Sequence, residues 1–537
     1  MAAACLFFLL AGQAFLPLVG IEDDESLFAG PLFSQLAAVY HYHFLHWHPP
    51  IMLMSYLGCL KTWIYAPLFG WFGIGVWVVR EPMLLAGAGS LCAFHFLLRR
   101  IGGARAAAVG TVLLAADACY LLTTCFDWGP VALQHLLLVT GMLLVLRFAE
   151  DGGMVWLAAG CFLSGLALWD KALALWMISG LGVAALAVYP RRVLQALRPR
   201  LLLVAAAGLA LGALPLILYN VHTRLETFRS NASRDVSDVP NKASMLIRTL
   251  NGQILFGYLT AENWDTPSPH PVSGWLESAA ASVAGAAREP RESWMGFALA
   301  LALLITPFAG AAAIRANAFA LIAMLVAWVE MAATKGAGGS VHHSILLWPL
   351  PQWIVAVALA GVSRRFPAKG LAALAAVTAL LVASELLVMD EYYVMMARNG
   401  GSVSWTDAIY ALEGYAAAPH PPENRPWRRI YCVDWGVLDI LRLLSAGALP
   451  LRVGGVPVSK PELTQADREQ LRRMISGSGH VFVTHAPEIR YFPANDQKLE
   501  QYAAAMGYSR KLLASVTDSF GRRTFEIYTF VSSGAAK

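Results

Sequence analysis

Four carboxylates in a row, Glu22-Asp23-Asp24-Glu25, follow the first apolar segment of this chain. Neighbouring carboxylates repel one another, so such a run belongs in bulk water unless something positive meets it. One of them could take a proton from an incoming hydroxyl or help hold a divalent cation, the only cofactor suggested here. A solvated acidic loop is the competing reading. Further on, His41, His43, His46 and His48 run into Pro49-Pro50. Imidazoles near acids could bind a phosphate or a metal. Pro49-Pro50 equally suits the first turn of a helix, and interfacial histidines can be amphipathic filler.

Three more clusters carry chemistry. Phe126-Asp127-Trp128-Gly129-Pro130 holds a lone carboxylate, which helix N-capping would also explain. Asp170-Lys171 places a lysine where it could meet a lipid-linked phosphate or simply snorkel. Lys335-Gly-Ala-Gly-Gly-Ser-Val-His342-His343 combines glycines that allow close backbone approach with a helix start that favours an anion. A flexible turn would look the same. Together these clusters set acids and cations at helix ends, the layout expected for an anionic lipid headgroup arriving from within the bilayer.

The elements that must position them are membrane helices. The chain has 537 residues, 57% hydrophobic and 14% charged, with a mean hydropathy of +0.55. Soluble domains carry about 25% charged residues, so a soluble enzyme, a disordered chain and a fibrous chain are all excluded. Apolar blocks of about 20 residues, the length that crosses hydrocarbon, predict an all-α polytopic domain of about 11 transmembrane helices. They fall near 3–20, 82–98, 104–124, 129–147, 154–170, 172–189, 201–219, 295–313, 317–333, 344–362 and 370–388. The segment from Met1 to Gly20 reads as the first of these and not as a removed signal peptide.

Basic residues collect in alternate connections: Arg99, Arg100 and Arg105; Arg147; Arg191, Arg192, Arg198 and Arg200; Arg315; Arg364, Arg365 and Lys369. By the positive-inside rule that set is cytoplasmic, which puts loops 21–81 and 220–293 and everything after 389 outside. Ile51–Phe69 is apolar but interrupted by Lys61 and Pro67, so it reads as an interfacial helix with Lys61 at headgroup level. Residues 390–537 read as a soluble α/β domain, with strands at Arg429–Val433, His480–Thr484, Lys511–Val516 and Thr524–Phe530. Helices are expected at Gly436–Ser445, Ala466–Ile475 and Gln497–Ala505. The net charge of +5 comes with no basic run, so nucleic acid is not a partner. The seven cysteines have no metal-ligand spacing.

In this setting the order of motifs resembles that of the GT-C glycosyltransferases, near the protein O-mannosyltransferases and the bacterial lipid A aminoarabinose transferases. The match runs over about residues 1–390: Asp24-Glu25 after the first helix, His48-Pro49-Pro50, Arg80, Asp127, Gly165 to Lys171, and His343 ahead of Leu347 and Pro349. The resemblance implies a GT-C membrane domain over 1–389 in a bacterial inner membrane. It implies transfer of a sugar from a polyprenyl-phosphate carrier to a glycan, lipid or protein acceptor on the periplasmic face, with inversion. It makes Asp24, Glu25 and Asp127 the catalytic acids, and His48, Lys171 and His343 the ligands of the donor phosphate. Trp264, in the outer segment Glu262–Asp265, is a candidate for the acceptor groove. A ligase of whole lipid-linked oligosaccharides, a lipid-glycan flippase and a receptor are the competing classes. The crowding of charges on one side and the lack of an internal repeat speak against the flippase.

Overall fold

The computed structural model describes residues 1–43, 45–262, 264–366, 368–419 and 426–532. The helical part opens with α1 (Ala2–Phe15) and a short α2 (Asp23–Leu27). A two-stranded antiparallel ribbon, β1 (Tyr40–His41) and β2 (Pro50–Met52), leads to α3 (Leu60–Phe72). Then come α4 (Val76–Ala116), α5 (Ala118–Cys125), α6 (Val131–Asp151) and α7 (Met154–Asp170). α4 is two helices meeting at Gly103, where φ is 78° and ψ −177°, a conformation that glycine accepts readily.

Five of the described helices are long and apolar enough to cross a bilayer, or seven if each of two bent pairs is one span. The bent pairs are Ala174–Val188 with Pro190–Ala196 and Pro199–Gly212 with Leu214–His222. Length and apolarity by themselves thus pick out fewer spans among the described residues than the 11 expected. The apolar segments near 3–20, 154–170 and 295–313 form the shorter helices Ala2–Phe15, Met154–Asp170 and Met295–Ala309, below the roughly 20 residues that hydrocarbon demands. Those at 82–98 and 104–124 are largely merged through Gly103. The chain is an integral membrane protein by the composition of these helices.

Small residues let the helices close up. A side chain at Gly165 of α7 would collide with the Leu209 carbonyl, and one at Gly212 with that of Phe162, so the two backbones are in direct contact. One end of the bundle gathers the arginines. Arg364 donates to the Gly102 carbonyl at 2.8 Å, Arg105 to Ser363 Oγ at 3.2 Å, and Arg147 lies 3.8 Å over the Trp156 ring.

The C-terminal part is an α/β domain around a five-stranded sheet: β3 (Arg429–Cys432), β4 (Leu451–Val453), β5 (His480–His485), β6 (Tyr508–Thr517) and β7 (Arg523–Ser532). Their order is β4-β3-β5-β7-β6. β3 runs parallel to β4 and β5, while β7 is antiparallel to both β5 and β6. Phe482, Tyr528, Tyr431, Leu471 and Leu499 fill one face, as the alternation of apolar residues along the strands requires. Leu438–Leu444, Gln465–Ile475 and Pro493–Ala505 are the helices, the second started by a Thr464/Asp467 capping box. The sheet domain sits on the end of the bundle where α2 lies. Gly20 N–H donates to the Trp405 carbonyl at 2.8 Å, and Ser268 N–H to that of Phe520 at 3.0 Å.

Candidate active site

α2 sorts the four acids into different jobs. Glu22 is its N-cap: Oε2 accepts from Asp24 N–H at 2.7 Å, while Glu25 Oε1 accepts from Glu22 N–H at 3.1 Å, a closed capping box. Glu25 is buried and held by Arg80 through Nε at 2.7 Å and Nη2 at 2.8 Å. The same guanidinium reaches the Leu16 carbonyl at 2.6 Å and that of Gly20 at 2.8 Å. Glu25 therefore ties α4 to the end of α1. Asp23 faces the C-terminal domain, with Asp439 and Arg442 as its charged neighbours. Asp24 faces inward. Burial pushes its carboxyl above the usual range, while Lys171, Lys61 and a hydrogen bond from Trp128 pull the other way.

Lys171 follows α7 and is 2% exposed, so it does not snorkel. The loop before α3 clamps its backbone: Gly58 N–H donates to the Asp170 carbonyl at 3.1 Å and Ala172 N–H to that of Tyr56 at 2.9 Å. Burial pushes the ammonium down to about 8, with Asp24 and Asp170 opposing. Its Nζ lies 3.5 Å from the Gly129 carbonyl. Gly129 has φ of 68°, and an ideal Cβ there would stand 3.3 Å from both Lys171 Nζ and the His342 ring. With no side chain of its own, Gly129 lets two groups able to bind an anion close on its backbone. Trp128 packs against His342 (centroids 4.9 Å apart) and stacks on Tyr258 at 4.0 Å.

Asp127 lies in the same loop, with φ of 38°. It does not cap α6, which starts after Pro130 without a side-chain cap. Instead it forms a fully buried ion pair with Lys61 of α3. Burial raises the Asp127 carboxyl and Lys61 opposes that rise. The expectation that Lys61 reaches the headgroups is thus corrected: its Nζ lies 3.7 Å over the Phe28 ring and the residue has no exposure. Below, Asp117 caps α5 through Tyr120 N–H at 2.8 Å and accepts from Trp348 Nε1 and Gln352 Nε2, each at 2.7 Å. His135 of α6 meets the Ile345 carbonyl at 2.8 Å. These bonds hold the 126–130 loop against the 341–349 segment.

The structure thus gathers Asp24, Asp127 and Lys171, with His342 beside them and His343 next to it at a ring separation of 4.2 Å. His343 Nδ1 is buried without a hydrogen-bond partner. His48 stands apart: it is exposed, its Nδ1 2.7 Å from that of His43. Trp264 lines a separate crevice, with Arg522 at 4.3 Å over its ring. Among the described residues no three His, Cys, Asp or Glu side chains form a metal-ligand group. Sequence reasoning missed Lys61 and Tyr258 as site residues, and within the two clusters it had marked it chose His343 and Asp127 without assigning a role to His342 or Gly129. The charge of Lys61 inside an apolar run was the one signal on offer, because such a residue needs a buried partner.

No protein-family model and no curated protein sequence matches the chain. Among solved structures it is similar to ArnT from Cupriavidus metallidurans bound to undecaprenyl phosphate, at a TM-score of 0.58 and 16% identity over 98% of this chain and 96% of that one. The apo state of that protein gives 0.55, again at 16% identity over 98% and 96%. The archaeal oligosaccharyltransferase AglB from Archaeoglobus fulgidus, in complex with an inhibitory peptide and a dolichol-phosphate, aligns at 0.47 and 11% identity over 99% of this chain and 74% of that one. Likeness at such identity is likeness of fold. The chain shares the fold of that ArnT structure, here a helical membrane domain followed by an α/β domain.

Proposed function

We propose that this protein is a membrane glycosyltransferase that moves a sugar from a polyprenyl-phosphate carrier to an acceptor hydroxyl. The observation that carries this reading is the buried cluster in which Lys171 and His342 close on Gly129, with Asp24 next to Lys171. The similar structure of ArnT bound to undecaprenyl phosphate supports a lipid phosphate as the anion. The end of the bundle that gathers arginines would be cytoplasmic by the positive-inside rule. The site, near the opposite end, then faces the periplasm of a bacterial inner membrane.

A sugar phosphoester already holds a good leaving group, so the protein must position the acceptor, take its proton and balance the phosphate charge. Asp24 is the base: its carboxylate takes the proton as the acceptor oxygen bonds to the anomeric carbon. The bond from that carbon to the phosphate oxygen breaks at the same time and the configuration inverts. Lys171 and His342, with His343 behind, meet the charge left on the carrier phosphate. Asp127 holds Lys61 next to Asp24, and Glu25 holds the α2 backbone. The test is incubation of the purified protein with polyprenyl-phosphate sugars and measurement of released polyprenyl phosphate. Release that Asp24→Asn abolishes is the expected result. No release from any such donor overturns the proposal.

A further inference from the structure

Between the helical part and the sheet domain lies an open crevice of about 620 Å³, within the range of small-molecule sites, about 300–1,000 Å³. Tyr258, Thr260 and Trp264 come from the membrane domain's outer loop, and Trp435, Tyr491 and Phe492 from the C-terminal domain. Ser402 and Ser404 add hydroxyls, and no charged side chain lines the crevice among the described residues. The nearby cations are already engaged. Arg522 lies behind the Trp264 ring and pairs with Asp518 at 2.6 Å. Arg490 turns to Asp496 at 3.3 Å and Glu526 at 3.2 Å.

We infer that this crevice is the acceptor site, that its occupant is a neutral saccharide, and that the C-terminal domain supplies half of it. The inference rests on the transferase reading above. A pyranose or furanose ring carries apolar C–H faces rimmed with hydroxyls, which matches flat aromatic rings interleaved with Ser, Thr and Tyr hydroxyls. Trp435 and Tyr491 stand edge to face at 71° with centroids 5.1 Å apart, so they offer two differently oriented walls. A phosphorylated or carboxylated acceptor would find no counter-charge there, and burying a bare anion is costly. The crevice also adjoins the chemistry. Tyr258 stacks on Trp128 at 4.0 Å, and Trp128 hydrogen-bonds Asp24. The Tyr258–Trp128 pair thus separates the crevice from Asp24, and an acceptor seated there must extend a hydroxyl past these two rings to reach the base.

The test is binding to the resting full-length protein in nanodiscs, read by tryptophan fluorescence and calorimetry. The probes are neutral gluco-, manno-, galacto- and arabino-oligosaccharides, an oligogalacturonate and a Ser/Thr-rich peptide. The expected result is saturable binding of at least one neutral probe and none of the uronate. Phe492→Ala should weaken that binding about tenfold, Trp435→Phe should largely retain it, and both variants should melt like the parent. Binding of no neutral saccharide, preference for the uronate or the peptide, or indifference to Phe492→Ala overturns the inference. Donor cleavage plays no part in this measurement, so failure of the transferase reading would show separately, as absence of carrier release.

Discussion

Arg80 grips Glu25 with two hydrogen bonds of 2.7 and 2.8 Å in a fully buried pair, while the adjacent Asp24 is turned toward Lys171. Two neighbouring acids thus separate a structural task from a chemical one, because consecutive residues of a helix point in different directions. Substitutions at the two positions should fail in different ways.

Asp24→Asn should leave the melting transition in detergent within error of the parent and lower the transfer rate by about 10²–10⁴-fold, the range of a lost general base. Glu25→Gln leaves Arg80 buried without its counter-charge, at a cost of about 3–5 kcal/mol. It should therefore appear first as poor expression and a lowered melting temperature. Measuring both quantities for both variants checks the assignment. Equal loss of stability would sink it.

Lys61 and Asp127 form the second buried pair. Lys61→Met strands the Asp127 carboxylate and should destabilise the protein by about 3–5 kcal/mol. Adding Asp127→Asn removes the stranded charge, so the double variant should be more stable than Lys61→Met alone. Denaturation of the four proteins in one detergent measures the coupling, and strict additivity would contradict it.

Gly129→Ala places a methyl between Lys171 Nζ and the His342 ring, each 3.3 Å from its position, at a φ of 68° that disfavours alanine. The donor KM should rise about tenfold or more. Steady-state kinetics against the lipid donor decide the matter: an unchanged KM would place the phosphate elsewhere.

The pH dependence has a worked sign. Asp24 must be ionised to accept a proton, and burial raises its carboxyl, so activity falls as pH drops through a value above the ordinary carboxylate range. Lys171 must be charged to meet the phosphate, and burial brings it down to about 8, so activity falls as pH rises past that value. The profile of kcat/KM should be bell-shaped, and Lys171→Arg should move the alkaline limb upward. An alkaline limb that stays in place would remove Lys171 from the role.

Much was legible in the chain itself. Hydropathy and charge spacing are local properties, so apolar helices, an α/β tail and chemistry-bearing residues at helix ends followed from the residues alone. Three short apolar helices and the merger at Gly103 lowered the count of full spans, because helix length is settled by packing and loop geometry as well as hydropathy. Only the tertiary structure decided which acid is free. Glu25 meets an arginine 55 positions away, Asp23 faces the C-terminal domain, and Lys61 finds Asp127 across two helices. It likewise brought His342 against Gly129 and left His48 in solvent. The physical reason is that a buried charge is tolerable only beside its partner, and which partner arrives depends on how distant helices pack.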